Sequence, residues 1–318
     1  MALELGPADL RQIGSGLTRP ECVLATADGK LFCSDARGGV MSFAPDGTQA
    51  LLGRREKLVP NGIAALPGGN FLVANVGVEG GIWHLSNTGA FTKLDIRVRG
   101  MPLPEVNFVY VDALGRLWAS VSSAGMADPV FTPAADEGYI LLGDSEGFRI
   151  VASGLGWTNE LRVHPSGDRL FVNETFGRRL LEFHIGSDGS LQDRTVLAEF
   201  GVGDYPDGMA LDVQDGIWVV SIISNRIYRI HDGHSKLVFG DSNAQIIDAL
   251  ERLLNSRGLK RADLHGLRTG TVVNNISSLA FGGEDLRTAY LGSLNGSCLW
   301  SFRSPVPGIA SPVQQPLW

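Results

Sequence analysis

The sequence predicts an all-β protein, a six-bladed β-propeller. A strand–turn–strand unit recurs six times along the chain, further short strands follow several of the units, and the repeats are roughly 40–50 residues apart, a spacing typical of propeller blades. The second strands of the six units read KLFCSD (residues 30–35), NFLVAN (70–75), RLWASV (116–121), RLFVNE (169–174), GIWVVS (216–221) and TAYLGS (288–293).

Each of these second strands is short, contains β-branched or aromatic residues, and follows a small or polar turn such as Asp28-Gly29 or Ser166-Gly167. This pattern is typical of antiparallel strands joined by tight turns. The segment DLRQIG at residues 9–14 is expected to supply a closing strand to the last blade. We therefore expect one propeller domain over residues 1–318.

One segment, residues 241–267, interrupts the repeats between the fifth and the sixth unit. We expect Asp241 or Ser242 to cap a helix there and Gly258 to end it. The insertion is either a surface decoration or a lid over one mouth of the channel, where long connections often carry binding. The helix is indicated by apolar residues at helical spacing: Ile246, Ile247, Leu250, Leu253 and Leu254.

The composition excludes several classes of function. With 318 residues, of which 44% are hydrophobic, the chain is long enough to bury a large core. A net charge of −7 disfavours a nucleic-acid partner, and no run of apolar residues is long enough to predict a membrane span or a membrane partner. Three cysteines form no disulfide framework and the N-terminus has no basic signal region, so we expect a cytoplasmic protein. The sequence carries no signal for an oligomeric state.

A polar residue stands eight positions before the turn residue in all six repeats. For one asparagine an ordinary turn accounts for this, but six at equal register favour a ring, because the first strand of each blade lines the central channel. Two carboxylates and four amides offer oxygen ligands to one divalent metal ion: calcium is our first choice, with magnesium, manganese, zinc or iron as alternatives. The six residues are Glu21, Asn61, Asn107, Asn159, Asp207 and Asn275.

The segment from Gly143 to Gly147 matches the G-x-S-x-G motif of serine hydrolases. That motif requires a turn from a strand into a helix, whereas YILLGDSEGFRIVAS reads as strand, turn and strand. We therefore predict that Ser145 is a hairpin residue and not a nucleophile.

Five segments resemble the SMP-30/gluconolactonase family of six-bladed propellers: RPECVLATADGKLFCSD, NFVYVDALGRLWAS, TNELRVHPSGDRLFVNET, YPDGMALDVQDGIWVV and FGGEDLRTAYLGS. Members look like metal-dependent hydrolases of lactones, and relatives hydrolyse organophosphates. The resemblance implies that Glu21, Asn159 and Asp207 bind the metal and that Asp207 is also the catalytic base. Asn107 would be a fourth ligand or a contact to substrate or water. Not all six ring residues need contact the metal, and we expect Asn61 and Asn275 to hold water or substrate.

Two departures from the family pattern put a sugar-acid lactone in doubt. The usual Arg and Asp around the blade-three asparagine are absent from Glu105-Val106-Asn107-Phe108, and the blade-four Pro-Asn-Gly has become Thr158-Asn159-Glu160. Phe108, Trp157 and Tyr205 lie close to ring residues in sequence and are expected to contact substrate in a more apolar mouth. A bulkier or less hydroxylated lactone or ester is therefore expected.

The residues and the resemblance together predict a metal-dependent hydrolase, foremost a lactonase acting on a small-molecule lactone. A metal at the ring polarises the carbonyl of the substrate and a carboxylate accepts the proton of the attacking water. Two alternatives stay open at this point. One is hydrolysis of another ester or an organophosphate, and the other is a non-catalytic propeller that binds a partner and holds a structural ion.

Overall fold

The computed structural model describes residues 5–123, 130–132, 136–264 and 266–317. This part of the chain forms six antiparallel sheets of four strands each, the predicted six-bladed propeller. In blades one to five the strands follow the chain order from the channel outward. The innermost strands contact one another in sequence and the sixth contacts the first, which closes the ring around the channel.

The first three blades have the following strands. Blade one contains Val23–Ala25, Leu31–Asp35, Gly39–Phe43 and Gln49–Leu52. Blade two contains Pro60–Leu66, Asn70–Asn75, Ile82–Leu85 and Phe91–Lys93. Blade three contains Phe108–Val111, Leu117–Val121, Gly138–Asp144 and Gly147–Leu155, and a small two-stranded ribbon, Arg97–Val98 with Met101–Pro102, precedes it.

The last three blades include the predicted closing strand. Blade four contains Thr158–Val163, Arg169–Glu174, Arg179–Ile185 and Leu191–Glu199, and blade five contains Pro206–Leu211, Ile217–Ser221, Arg226–His231 and His234–Gly240. Blade six contains Ile276–Gly282, Thr288–Ser293 and Leu299–Arg303, and its outer strand is Arg11–Ile13. Short 3-10 turns occur at Pro7–Asp9 and Pro67–Gly69.

The turn between the first two strands of blades three and five is held by an aspartate. The Asp212 carboxylate accepts hydrogen bonds from the backbone N–H groups of Gln214 and Gly216 at 2.9 Å and from the Trp218 indole N–H at 2.8 Å. The blade-three counterpart repeats this pattern: the Asp112 carboxylate accepts from the Trp118 indole at 2.9 Å. In both blades the tryptophan lies six residues after the aspartate, and this pair fixes the turn to the second strand.

The insertion contains helix α1, Ala244–Arg257, and a short helix α2, Arg261–Leu264. The predicted cap was wrong by one or two residues: the Asn243 side chain accepts from the backbone N–H groups of Gln245 and Ile246. Asp241 is engaged elsewhere, because its carboxylate accepts from the backbone N–H groups of residues 271–273 at distances between 2.7 and 3.0 Å. Gly258 ends α1 with a positive φ of 76°, as predicted.

Helix α1 is fastened to the propeller by one apolar face and one carboxylate. Ile247, Leu250 and Leu254 are buried in an apolar cluster that this face forms with blades four and five. The Glu251 carboxylate accepts hydrogen bonds from the Tyr205 hydroxyl at 2.9 Å, from Arg178 at 2.6 Å and from the backbone N–H of residue 203 at 2.8 Å.

Three further expectations concern single residues or segments. Ser145 lies in the hairpin between the third and fourth strands of blade three, as predicted, and not at a strand-to-helix turn. Cys22, Cys33 and Cys298 are buried and form no disulfide. Within the described ranges, neither α1 nor α2 has the length and apolar character needed to span a membrane.

Candidate functional site

Five of the six predicted ring residues meet at one mouth of the channel. They line a cavity of about 640 Å³. Bulges position at least three of them. The register shifts near the start of the innermost strand in blades two, four and five, at the ring residue of each blade. A bulge turns the extra side chain away from the regular alternation of the strand. The five residues are Glu21, Asn61, Asn107, Asn159 and Asp207.

Asn61 is the hydrogen-bonding centre of one half of the ring. Its amide N–H groups donate to Glu21 Oε1 at 2.9 Å and to the backbone carbonyl of Asn107 at 2.9 Å. Its amide oxygen accepts a hydrogen bond from Arg19 at 2.6 Å. Because both ends of the Asn61 amide are occupied by protein, Asn61 is suited to position Glu21 rather than to bind a metal.

Thr175 positions the blade-four residue Asn159. The Asn159 amide N–H donates to Thr175 Oγ1 at 2.9 Å, and the Thr175 hydroxyl donates to the backbone carbonyl of Pro206 at 2.8 Å. This pair of hydrogen bonds fixes which end of the Asn159 amide is the oxygen end that remains available. Sequence reasoning missed Thr175, although it directly follows the second strand of blade four.

Three buried oxygen atoms in the ring have no hydrogen-bond partner within the described residues: Glu21 Oε2, Asn159 Oδ1 and Asp207 Oδ1. An unpaired buried acceptor costs free energy, so such atoms are rare unless a ligand satisfies them. They belong to the three residues that the family resemblance assigns to a metal. The donor set therefore fits a divalent cation that prefers oxygen.

Amide oxygens are indispensable to this ligand set. Among the described residues, no group of three His, Cys, Asp or Glu side chains is placed to hold a metal ion. Asn107 is the fourth candidate, and its Oδ1 lies 3.4 Å from Asn61 Nδ2. The site thus joins two carboxylates to neutral amides, a combination found in calcium sites.

Burial and mutual repulsion dominate the electrostatics of the ring. Burial raises the pKa of Asp207 well above its ordinary value, and the nearby carboxylates of Glu21 and Glu160 raise it further. Burial likewise raises the pKa of Glu21, and the positive charge of Arg19 opposes this shift. Two buried acidic groups at one site favour a bound positive charge.

Glu160, the blade-four departure from Pro-Asn-Gly, lies below the ring inside the channel. Its carboxylate accepts from Ser278 Oγ at 2.8 Å and from the backbone N–H of Met209 at 3.2 Å, and it pairs with Arg162 at 2.8 Å. These contacts tie blades four, five and six together. In blade five the residue that follows the ring position is Gly208, where a Cβ would lie 2.4 Å from a backbone oxygen of blade six.

Three predicted substrate contacts do not line the cavity. Phe108 lies beneath the Arg162 guanidinium, 4.7 Å from the carbon of that group to the ring centre. Tyr205 is fully buried and its hydroxyl donates to Glu251 under α1. Proximity in sequence did not reveal that these two rings turn away from the channel mouth, so we withdraw them as contacts.

Asn275 also lies behind the cavity wall and not on it. Its amide N–H donates to the backbone carbonyl of Ile222 at 2.9 Å, and its oxygen accepts from Asn295 at 2.8 Å. Asn295 lines the cavity in its place. The residue at the sixth ring position therefore has a structural role, since its side-chain amide is hydrogen-bonded to residues of blades five and six.

Trp157 does line the cavity, together with residues that the sequence analysis missed. No common sequence pattern marks these residues, because they come from loops and from the insertion and do not occupy equivalent positions in the repeats. Leu264 of α2 shows that the insertion lies on the same face as the ring. The missed lining residues include Arg19, Lys57, Phe131, Phe176, Ile222, Leu264 and Leu294.

Comparison with known proteins identifies the family. Residues 19–238, more than half of the chain, match the SMP-30/gluconolactonase/LRE-like region. The chain belongs to this family. A curated relative, the 6-deoxy-6-sulfogluconolactonase of Pseudomonas putida, is 26% identical over 264 residues, which cover 77% of each protein.

Solved structures share the propeller of this SMP-30/gluconolactonase protein. The calcium-binding protein regucalcin of Agrobacterium tumefaciens has a TM-score of 0.71 at 14% identity, covering 98% of this chain and 99% of that one. Luciferin-regenerating enzyme has a TM-score of 0.70 at 17% identity, covering 96% and 99%. A gluconolactonase of Xanthomonas campestris has a TM-score of 0.67 at 20% identity, covering 94% and 89%. At these identities the likeness shows the fold alone.

Proposed function

We propose that the protein is a metal-dependent lactonase that hydrolyses a small-molecule lactone at the ring. The convergence of the unpaired buried oxygens of Glu21, Asn159 and Asp207 on one cavity carries this proposal. The relative from Pseudomonas putida is named for a lactone substrate, which supports this substrate class.

The residues that would hold the metal are Glu21, Asn159 and Asp207, with Asn107 beside them. Calcium is the first choice, since every donor is an oxygen and no histidine or cysteine contributes. When bound, a divalent cation supplies a Lewis acid that polarises the lactone carbonyl.

The chain's own side chains then have separate tasks. The Asp207 carboxylate accepts a proton from the water whose oxygen attacks the carbonyl carbon. As the bond between the carbonyl carbon and the lactone ring oxygen breaks, Asp207 returns this proton to the leaving alkoxide oxygen, which yields the hydroxy acid. Arg19 and Asn61 hold Glu21 in place, and Thr175 holds Asn159. Such fixed polar groups act without reorganising during the reaction, which is how active sites stabilise developing charge.

A second candidate is hydrolysis of an acyclic ester or an organophosphate at the same ring. The apolar side chains of Trp157, Phe131 and Leu264 on one wall favour it, because they would accept a substrate without the hydroxyl groups of a sugar.

The test is a panel of lactones, esters and organophosphates, assayed on metal-stripped protein and after reloading with Ca²⁺, Mg²⁺, Mn²⁺, Zn²⁺ or Fe²⁺. We expect lactone hydrolysis to be lost on stripping and restored by at least one ion. Glu21→Gln should weaken metal binding in calorimetry, whereas Glu199→Gln, a matched change at an exposed strand residue, should not.

Two results would contradict the proposal in different ways. Full activity of the stripped protein would remove the metal from the mechanism. Metal binding without turnover of any compound in the panel would leave a non-catalytic propeller with a structural ion.

A further inference from the structure

The cavity at the ring has two walls of different chemistry. One wall carries the polar ring residues of blades one to three together with Arg19, Lys57 and Glu105. The opposite wall is built by blades four to six, the insertion and Phe131, and it is apolar apart from Asn159, Thr175, Asp207 and Asn295. Its apolar side chains are Phe131, Trp157, Phe176, Ile222, Leu264 and Leu294.

Aromatic packing makes the apolar wall rigid. The rings of Phe131 and Phe176 stack with centres 4.6 Å apart, and Trp157 meets Phe131 edge-on at 4.5 Å. Trp157 also has a positive φ of 66°, a conformation that costs energy for a large residue and persists only where the surroundings fix it. A wall held in this way presents one fixed surface to a ligand.

The insertion completes this wall and is itself anchored away from the ring. Leu264 of α2 reaches the cavity, while the Glu251 anchor of α1 lies on the Tyr205 side. The backbone of Phe131 pairs with that of Leu259 through hydrogen bonds of 2.7 and 2.9 Å, which joins Phe131 to the insertion. The apolar wall is therefore a built feature and not an accident of one exposed side chain.

A polyhydroxylated lactone fits this wall poorly. Apart from the Trp157 indole N–H, the six apolar side chains offer no hydrogen-bonding group, so hydroxyls placed against them would lose water without gaining a partner. A cavity of about 640 Å³ is of the size that accepts a drug-sized ligand. Burial of an apolar substituent against this wall would lower the free energy of binding, whereas burial of hydroxyl groups would raise it.

We propose that the substrate is a lactone or ester with an aryl or branched alkyl substituent, which packs on the wall of Trp157, Phe131 and Leu264 while its carbonyl lies at the ring. This inference rests on the proposed function for its reaction, but the pocket preference has a readout of its own. Leu264 is the residue that tests it, because it is partly exposed in the cavity and belongs to the insertion.

The experiment compares Leu264→Asn with Leu253→Asn. Both leucines are half-buried members of the same apolar cluster, but only Leu264 lines the cavity. We measure kcat/KM for γ-phenyl-γ-butyrolactone, δ-valerolactone and glucono-δ-lactone. By calorimetry we also measure the binding of the corresponding lactam, γ-phenyl-γ-butyrolactam, which is not hydrolysed.

The parent protein should prefer the phenyl lactone to glucono-δ-lactone. Leu264→Asn should lower the ratio of phenyl lactone to δ-valerolactone kcat/KM about tenfold, and should weaken lactam binding by a similar factor. Leu253→Asn should leave both values within about twofold of the parent.

The outcomes separate this inference from the proposed function. A parent that prefers glucono-δ-lactone, or a lactam whose affinity is equal in both variants, overturns the inference while lactonase activity stands. Absence of all lactone hydrolysis together with lactam binding that depends on Leu264 overturns the proposed function and supports the pocket inference.

Discussion

The two mouths of the central channel are built differently. At the ring mouth, buried oxygens of Glu21, Asn159 and Asp207 have no partner among the described residues. At the opposite mouth lies a cavity of about 240 Å³ with a mostly apolar lining, and the charged side chains in that lining all have partners. There Arg116 pairs with Asp112 at 2.6 Å, Arg162 with Glu160 at 2.8 Å, and His164 Nε2 lies 3.0 Å from Asp215.

The covers of the two mouths differ as well. Residues 305–312 cross the opposite mouth and are fixed by backbone hydrogen bonds, such as those from Ile309 to Leu211 at 2.8 Å and from Ser311 to Ala25 at 3.1 Å. The ring mouth is bordered instead by side chains, among them Phe131, Trp157 and Leu264 of the insertion's helix α2. Satisfied polar groups under a backbone cover stabilise a fold, whereas unsatisfied ones under side chains indicate a place for a ligand.

The largest expected effect separates Asp207 from Asp204, two buried carboxylates three residues apart. Asp207→Asn should lower kcat about 10³-fold in a folded protein, even at saturating metal, because the proton acceptor is lost. Asp204 is satisfied by Ser224, Arg226 and Tyr228, so Asp204→Asn should reduce the free energy of unfolding and retain kcat. Steady-state kinetics and thermal melts measure both, and a near-parent rate for Asp207→Asn would make that residue at most a ligand.

The buried pair of Glu160 and Arg162 should matter for stability. Glu160→Gln leaves the Arg162 guanidinium buried without a counter-charge, so we expect a loss of about 3 kcal/mol in the free energy of unfolding. The matched control is Glu182→Gln, whose ion pair with Arg169 spans 3.7 Å at a half-exposed site and should cost less than about 1 kcal/mol. Denaturant titration measures both, and equal losses would break the distinction between buried and surface pairs.

Metal binding should increase the free energy of unfolding, and only substitutions of the metal ligands should remove this increase. An ion at about 100 times its Kd adds about 2.7 kcal/mol to the free energy of unfolding. Asn159→Ala should lose most of this increment. Asn75→Ala should keep it, because Asn75 is a buried asparagine that serves only the backbone of blade two, at Val59, Gly77 and Gly80. Thermal melts with and without a chelator decide, and equal increments in both variants would contradict the ligand role of Asn159.

The smallest effect concerns the cover of the ring mouth. Hydrogen bonds from Arg178, Gly203 and Tyr205 outweigh burial and hold the pKa of Glu251 below its ordinary value of 4.5. A lowered pKa in the folded state stabilises the anchor above pH 4.5 and ceases to do so as the pH falls through the folded value. Hydrogen exchange of α1, corrected for intrinsic rates, should therefore show faster opening in acid.

Two variants serve this last measurement. In Glu251→Gln, hydrogen exchange of α1 should be faster at neutral pH, and the opening of α1 should no longer depend on pH. Asp248→Asn, on the exposed side of the same helix, should change neither. Equal protection of α1 at pH 6 and at about pH 3.5 would show that Glu251 does not anchor the insertion.

Sequence reasoning reached the blades and the ring because both depend on register along the chain. The six first strands repeat one local pattern, so Asn159 and Asp207 could be aligned without knowing any contact between them. The walls of the cavity depend instead on contacts between distant segments: Phe131 meets Leu259, and Tyr205 meets Glu251. No local sequence pattern indicates the direction in which such an aromatic side chain points. For this reason Tyr205 was expected in the cavity and Phe131 was not.

Blade six also determines how the chain must fold. Its outer strand pairs Arg11 with Ser301, residues that lie 290 positions apart. The entropy of closing so long a loop is recovered only after the intervening blades have ordered, so this pairing should form after the folding transition state while local hairpins form before it. A substitution that weakens the Gln12–Trp300 pairing should then accelerate unfolding and leave the refolding rate nearly unchanged, a pattern that a chevron plot would display.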